Sequence, residues 1–435
     1  MEAPRLVGAL VIVAVGASMF AMAFRATLQL VYRSLLGGRD VLDAFTSLPV
    51  GARIGVPIAG GLLAGCVARF TAGVSGAGVG DVMEAVVVGR TRLSMRATVW
   101  KALGSWCAIA TGNSIGREGP LIQFGGSLGA AVANGMSISG RHARALIAAG
   151  TAAGFAAAYN TPLAAVIFVV EVVTGVVALD ALMMVIVATA TATALVRTFV
   201  GGGPIYGSRA FEITTTSELF AHAALGVAAG IIAHGFMRML STGEQLFERS
   251  SIPQPWRAAC GGLIVGGLAL ALPHVAGNGY EPLNRLLDQE YSLLLIGVLL
   301  LAKAFATTAS VASGSPGGVF TPSLFIGGAL GMLWGHAAGR LLGTSGAEGS
   351  YALVGMAAVT AATTHAPLMA SVLVFELSGD YAIVLPLMLA TTIATWVSRR
   401  LRPDSLYTAE LRRRGLAWSM TLEGRRFGKR PARDG

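Results

Sequence analysis

The stretch Gly112–Gly129, GNSIGREGPLIQFGGSLG, sets Arg117 and Glu118 beside Pro120 in the middle of a long apolar region. Charge is costly in such surroundings and marks a candidate functional site. The order of residues says what kind. Glycines let the backbone turn tightly and lie close to a ligand, Pro120 suits the first turn of a helix, and the apolar run after it reads as that helix. The spacing therefore predicts a loop that delivers Glu118 to a helix N-terminus, where free N–H groups and the helix dipole attract an anion.

Working outward, hydrophobic residues make up 54% of the 435 positions, charged residues only 12%, and mean hydropathy is +0.68. An ordinary soluble domain is about 25% charged, so the chain reads as an all-α polytopic membrane protein. The 58 glycines and 16 prolines fit that class, whose helices carry more of both than soluble ones; their clustering predicts broken helices. From Ala145 to Val196 the only charges are Glu171 and Asp180, and Ala304 to Gly339 has none. At about 20 residues per span, the chain has room for roughly ten membrane segments or more, several of them short or tilted.

The sequence also repeats itself. Gly76-Ala77-Gly78-Val79 recurs as Gly277-Asn278-Gly279-Tyr280, and Lys101-Ala102 as Lys303-Ala304. GREGPLIQFGGSLG from Gly116 aligns with GVFTPSLFIGGALG from Gly318, and TPLAAVIFVVE from Thr161 with APLMASVLVFE from Ala366. Four matches in one order at nearly one spacing indicate a duplicated half. Such halves are often inverted in transporters, with discontinuous helices meeting near the membrane midplane. Expected boundaries are a first membrane repeat over 1–200, a linker over 201–217, a second repeat over 218–400, and a last helix with a basic tail over 401–435. From Arg399 onward eleven Lys and Arg accompany four acids, which favours a cytoplasmic C-terminus by the positive-inside rule. That tail lacks the aromatic interleaving of a nucleic-acid binder. It reads as disordered after the last helix.

The apolar N-terminus lacks a strongly basic start and a convincing cleavage site, and reads as a retained first helix. Cys66, Cys107 and Cys260 read as small buried side chains, not a disulfide framework or metal site. The six histidines, at 142, 222, 234, 274, 336 and 365, show no metal spacing. No HExxH pair or nucleophile-His constellation points to an intramembrane enzyme, and no cofactor is expected.

GNSIGREGP, Gly317-Gly318-Val319-Phe320-Thr321-Pro322 and Tyr407 in SLYTAEL resemble the three signature regions of the CLC chloride channels and transporters, with a likeness running from about residue 50 to 414. The chain is most similar to the short bacterial voltage-gated-type subgroup without CBS domains. The resemblance implies a homodimer in the bacterial inner membrane, one pore per subunit, and about eighteen helices in two inverted repeats whose N-termini surround a dehydrated anion. Chloride is then the transported ligand, with protons and membrane lipid as further partners. It implies anion-binding amides around Gly116, Arg117 and Gly119 and at Val319 and Phe320, the Tyr407 hydroxyl as inner donor, and Glu118 as a gate that blocks when ionised and swings away when protonated. Without the motifs, Phe320 reads as a core aromatic and Tyr407 as an interfacial anchor.

Two departures from the family pattern bear on mechanism. Many relatives carry a serine hydroxyl where this chain has Ala77, followed by Gly78; the backbone there can still coordinate, but one side-chain donor is lost. Exchangers usually place an internal proton-accepting glutamate at the position of Val172, and the Glu171-Val172 pair resembles the channel members. Passive chloride conduction is therefore the leading expectation, chloride/proton exchange its rival, and a fluoride-selective relative a more distant one. Glu171 and Glu376 read as helix-end structural acids. Lys101 and Lys303 would either raise the local potential for anions or snorkel to a membrane face.

Overall fold

A computed structural model describes residues 2–70, 78–89, 91, 93–176, 178–203, 205–207, 216–342, 348–413, 416–421 and 424–429. Among them are eighteen α-helices. The first nine are α1 Glu2–Ser34, α2 Val41–Ser47, α3 Val50–Arg69, α4 Val79–Val88, α5 Met95–Ala110, α6 Glu118–Gly135, α7 Gly140–Tyr159, α8 Pro162–Phe168, which runs into a π-helical turn at Val169–Thr174, and α9 Leu179–Phe199. The second nine are α10 Thr216–Arg249, α11 Gln254–Ala271, α12 Tyr280–Leu287, α13 Leu293–Ala312, α14 Phe320–Leu342, α15 Glu348–Thr364, α16 Pro367–Ser378, α17 Val384–Leu401 and α18 Leu406–Arg413. Five described helices are long and apolar enough to cross a membrane, in α1, α3, α9, α10 and α13. The N-terminal helix packs on α6, α7 and α9.

Equivalent positions of the two repeats meet face to face. Gly116 N–H donates to the Gly318 carbonyl at 2.7 Å and Gly318 N–H returns a bond to the Gly116 carbonyl at 2.9 Å, an antiparallel bridge between residues matched by the sequence repeat. Such reciprocity is what a local two-fold axis produces, and it turns α6 and α14 so that their N-termini face each other. The same exchange recurs elsewhere. The Glu171 carboxylate accepts from the amides of Leu368 (3.2 Å) and Met369 (2.8 Å) at the start of α16. Glu376 accepts from Leu163 (3.0 Å) and Ala164 (2.8 Å) at the start of α8. Both acids are therefore structural caps, as expected, and each caps a helix of the other repeat.

Glycine explains how the layers come so close. α3 crosses α11 where added side-chain carbons on Gly61 and Gly262 would strike the backbones of Ala258 and Pro57. α6 crosses α7 at Gly125 against Gly150, and α14 crosses α15 at Gly327 against Gly355. Lipid supplies no hydrophobic drive between helices, so close backbone packing through small residues substitutes for it.

Four expectations need correction or restriction. Cys66 is exposed and Cys107 and Cys260 are half-buried, so the cysteines are not the buried side chains expected. The tail is not unstructured where it is described: Leu416–Thr421 pairs antiparallel with Gly424–Lys429 as a two-stranded hairpin. Lys101 and Lys303 do not snorkel, because both are buried. Lys303 Nζ donates to the carbonyls of Val275 (2.9 Å) and Gly277 (2.7 Å), and Lys101 pairs with Asp81 at 3.4 Å. The proposed linker falls mostly outside the described residues, and α10 begins at Thr216, inside its expected end.

Removing a carboxylate cap leaves two amides at a helix start without their charged acceptor. Glu171→Ala and Glu376→Ala are each expected to destabilise the protein by about 1–3 kcal/mol. Thermal unfolding in detergent checks this, and the Gln variants should lose less.

Candidate functional site

Glu118 is the first residue of α6, with Arg117 as its N-cap. Its side chain does not turn back onto its own helix. It is 2% exposed and reaches across the repeat boundary: Oε1 accepts from the Phe320 amide at 2.8 Å and the Thr321 amide at 3.3 Å, and Oε2 accepts from the Thr321 hydroxyl at 3.0 Å. Tyr159 OH lies 3.4 Å from Oε2 and 2.9 Å from Thr321 Oγ1. A carboxylate thus sits at the positive end of α14, where unpaired N–H groups and the helix dipole favour an anion. Glycine makes the seat: a side-chain carbon at Gly116 or Gly318 would overlap the Glu118 carboxylate.

Arg117 does not neutralise Glu118. Its guanidinium points to the Ala158 carbonyl at 3.5 Å, and the two residues form no ion pair. The acid is held by dipoles and hydroxyls alone, so the arrangement can exchange one monoanion for another without separating a salt bridge.

From Glu118 a cavity of about 870 Å³ runs to the C-terminal end of the bundle, bordered by Gly78, Gly119, Val319 and Tyr407 and, at its far end, by Glu244, Arg402, Arg412 and Arg413. Gly78 caps α4 at φ +106°, a conformation glycine adopts at little cost. The ring of Tyr407 packs edge-on against Phe168 at 6.3 Å, and its hydroxyl has no hydrogen-bond partner among the described residues. At the mouth Arg412 pairs with Asp404 at 2.9 Å and Arg413 with Glu244.

The structure therefore brings Gly78, Glu118, Gly119, Val319 and Tyr407 to one cavity, with Phe320 and Gly116 beside the Glu118 carboxylate; the Gly116 amide, expected as an anion donor, is instead spent on the Gly318 carbonyl. Phe320 serves in two ways: its amide holds Glu118 while its ring packs against Phe155 at 5.7 Å and Tyr159 at 5.6 Å. Arg117 contributes backbone at the helix start, but its side chain leaves the site. Ala77 lies outside the described residues. Two contributors were not singled out in the sequence, Thr321 and Tyr159. Thr321 stands inside the second motif. Tyr159 precedes Asn160, a left-handed residue at φ +56° that ends α7, and nothing in its sequence context distinguishes it.

The sequence model of the voltage gated chloride channel family matches residues 59–399. The chain belongs to the CLC family of chloride channels and transporters. A protein of Ralstonia nicotianae named ClcB-like is 40% identical over 399 residues, 90% of this chain and 93% of that one. The voltage-gated ClC-type chloride channel ClcB of Escherichia coli is 35% identical over 375 residues, 85% of this chain and 89% of that one. Among solved structures, a slow cyanobacterial Cl⁻/H⁺ antiporter superposes with a TM-score of 0.86 at 24% identity, covering 94% of this chain and 98% of that chain. A CLC-type fluoride/proton antiporter gives 0.74 at 22%, covering 93% and 98%. At those identities the structural likeness establishes the CLC fold.

Gly318→Ala is expected to expel the Glu118 carboxylate from its seat, which a cryo-EM map of the variant would show as density for the side chain elsewhere. Gly119→Ala is the contrast: its added carbon has 3.6 Å to the nearest atom, and the carboxylate should stay.

Proposed function

We propose that this chain is a chloride channel of the CLC type, conducting the ion passively across the bacterial inner membrane as a homodimer with its C-terminus in the cytoplasm. Glu118 is the gate, and the amides of Gly119, Val319 and Phe320 with the Tyr407 hydroxyl line the anion path. One observation carries this reading: the Glu118 carboxylate occupies the amides of Phe320 and Thr321, the place an anion would take. Desolvating chloride costs tens of kcal/mol by Born estimates unless other dipoles replace its shell. Backbone amides do so without a fixed full charge, and an ion so held can also leave.

Two features favour conduction over exchange. Val172 is a buried valine in the π-helical turn and carries no proton. Its neighbour Glu171 is committed to the amides of Leu368 and Met369, so it offers no free relay either. The homodimer is supported by apolar exposure on half-length helices: Leu163 on α8 is 57% exposed and Leu368 on α16 54%. Helical segments of 13 residues, the π-helical turn included, and 12 residues are too short to cross a bilayer alone and are better covered by protein.

Exchange of chloride for protons is the second reading, favoured by the name of the cyanobacterial Cl⁻/H⁺ antiporter and by a protonatable side chain within the path. Reconstitution in liposomes separates the two. A chloride gradient should drive chloride flux without stoichiometric uphill proton movement; coupled proton movement would replace the channel reading with the exchanger.

The gate gives a signed pH response. Protonation removes the charge that holds Glu118 on the α14 amides, so chloride flux should rise as pH falls. Glu118→Gln and Glu118→Ala should remove most of that dependence, and an unchanged profile would reject the gate.

A further inference from the structure

We infer that the Ser315 hydroxyl is a side-chain donor to the anion and helps set selectivity in the inner half of the path, an inference that rests on the anion-path reading above. Ser315 follows Gly314, which turns the chain at φ +94° beyond the end of α13, and precedes Pro316, which holds it in an extended conformation. Its amide is tied to the Ser310 carbonyl at 3.2 Å. It borders the 870 Å³ cavity together with Gly78, Gly317, Gly318 and Tyr407.

The serine is 3% exposed, yet its hydroxyl has no hydrogen-bond partner among the described residues. A buried hydroxyl without a partner is costly, and one kept in that condition beside a ligand path invites a functional account. Its neighbours show the ordinary solution: Ser310 Oγ donates to the Ala306 carbonyl at 3.0 Å and Ser313 Oγ to the Ser310 carbonyl at 2.9 Å. Ser315 lies past the last turn and has no helix carbonyl to use.

The other repeat supplies a comparison. Its matched residue is Asn113, whose side-chain nitrogen donates to the Pro57 carbonyl at 3.2 Å, tying that loop to α3. The second copy has a shorter side chain, no such tie, and a cavity beside it. Turning about χ1 can bring the hydroxyl to the cavity and its proton to an anion without moving backbone. Asn113 has no hydroxyl to give, and neither does Ala77 in the glycine-rich loop of the same repeat. A point donor strengthens binding of a compact halide more than of an anion whose charge is spread over several oxygens.

The test uses the full chain with Glu118→Gln, so that the carboxylate no longer competes. Adding Ser315→Ala should weaken chloride binding by isothermal titration roughly tenfold and lower the chloride-to-nitrate flux ratio in liposomes. Ser315→Thr should retain both, and Ser315→Cys, a weak donor of similar size, should lie between. An unchanged Kd and flux ratio in a folded Ser315→Ala or Ser315→Cys protein would overturn the inference while leaving the path intact. Absence of anion flux from the parent chain would overturn the path and this inference together.

Discussion

Two glycines, Gly116 and Gly318, exchange a pair of backbone hydrogen bonds at the contact of the two repeats, and the geometry of the site follows from that exchange. A side chain on either residue would fill the space now taken by the Glu118 carboxylate. With the backbones this close, an acid at the start of α6 can reach the amides at the start of α14. The bond between the Gly277 amide and the Gly112 carbonyl, 2.9 Å long, joins the loops of the two repeats a second time. Positioning therefore belongs to backbone geometry, which side-chain motion cannot loosen.

Electrostatically the path is built from dipoles, with its strongest cations kept occupied. Lys303 gives its ammonium to two carbonyls, Lys101 to Asp81, and Arg117 points to a carbonyl. A full free charge at the site would hold an anion too long for rapid transit, whereas helix-end amides offer partial charges that a passing ion can exchange. At the wide mouth, Arg412 and Arg413 are each offset by an acid, which tempers the attraction there too.

The sequence made the membrane class, the duplication and the Glu118 loop legible, because composition, spacing and a charge in apolar surroundings are local properties. It also marked Glu171 and Glu376 as helix-end acids. What it could not reveal was which helix each acid caps, since that depends on how the repeats are inverted. Tyr159 stayed hidden for the same reason: a tyrosine at a helix end looks alike whether its hydroxyl meets lipid headgroups or a carboxylate from another element. The lysines left two readings open because a buried ammonium satisfied by carbonyls or an acid and a snorkelling one have the same sequence signature. The hairpin in the tail went unseen because the alternation of Leu416, Trp418 and Met420 is short and its partner strand, GRRFGK, is basic and glycine-containing.

The crosswise acids bear on biosynthesis. α8 receives its acceptor from Glu376, 213 positions later in the chain, so the ribosome must complete nearly the whole second half before that helix can be finished. Until then the amides at the start of α8 wait for their acceptor. The halves are interlocked rather than juxtaposed, and the nascent protein would mature only as its final helices insert.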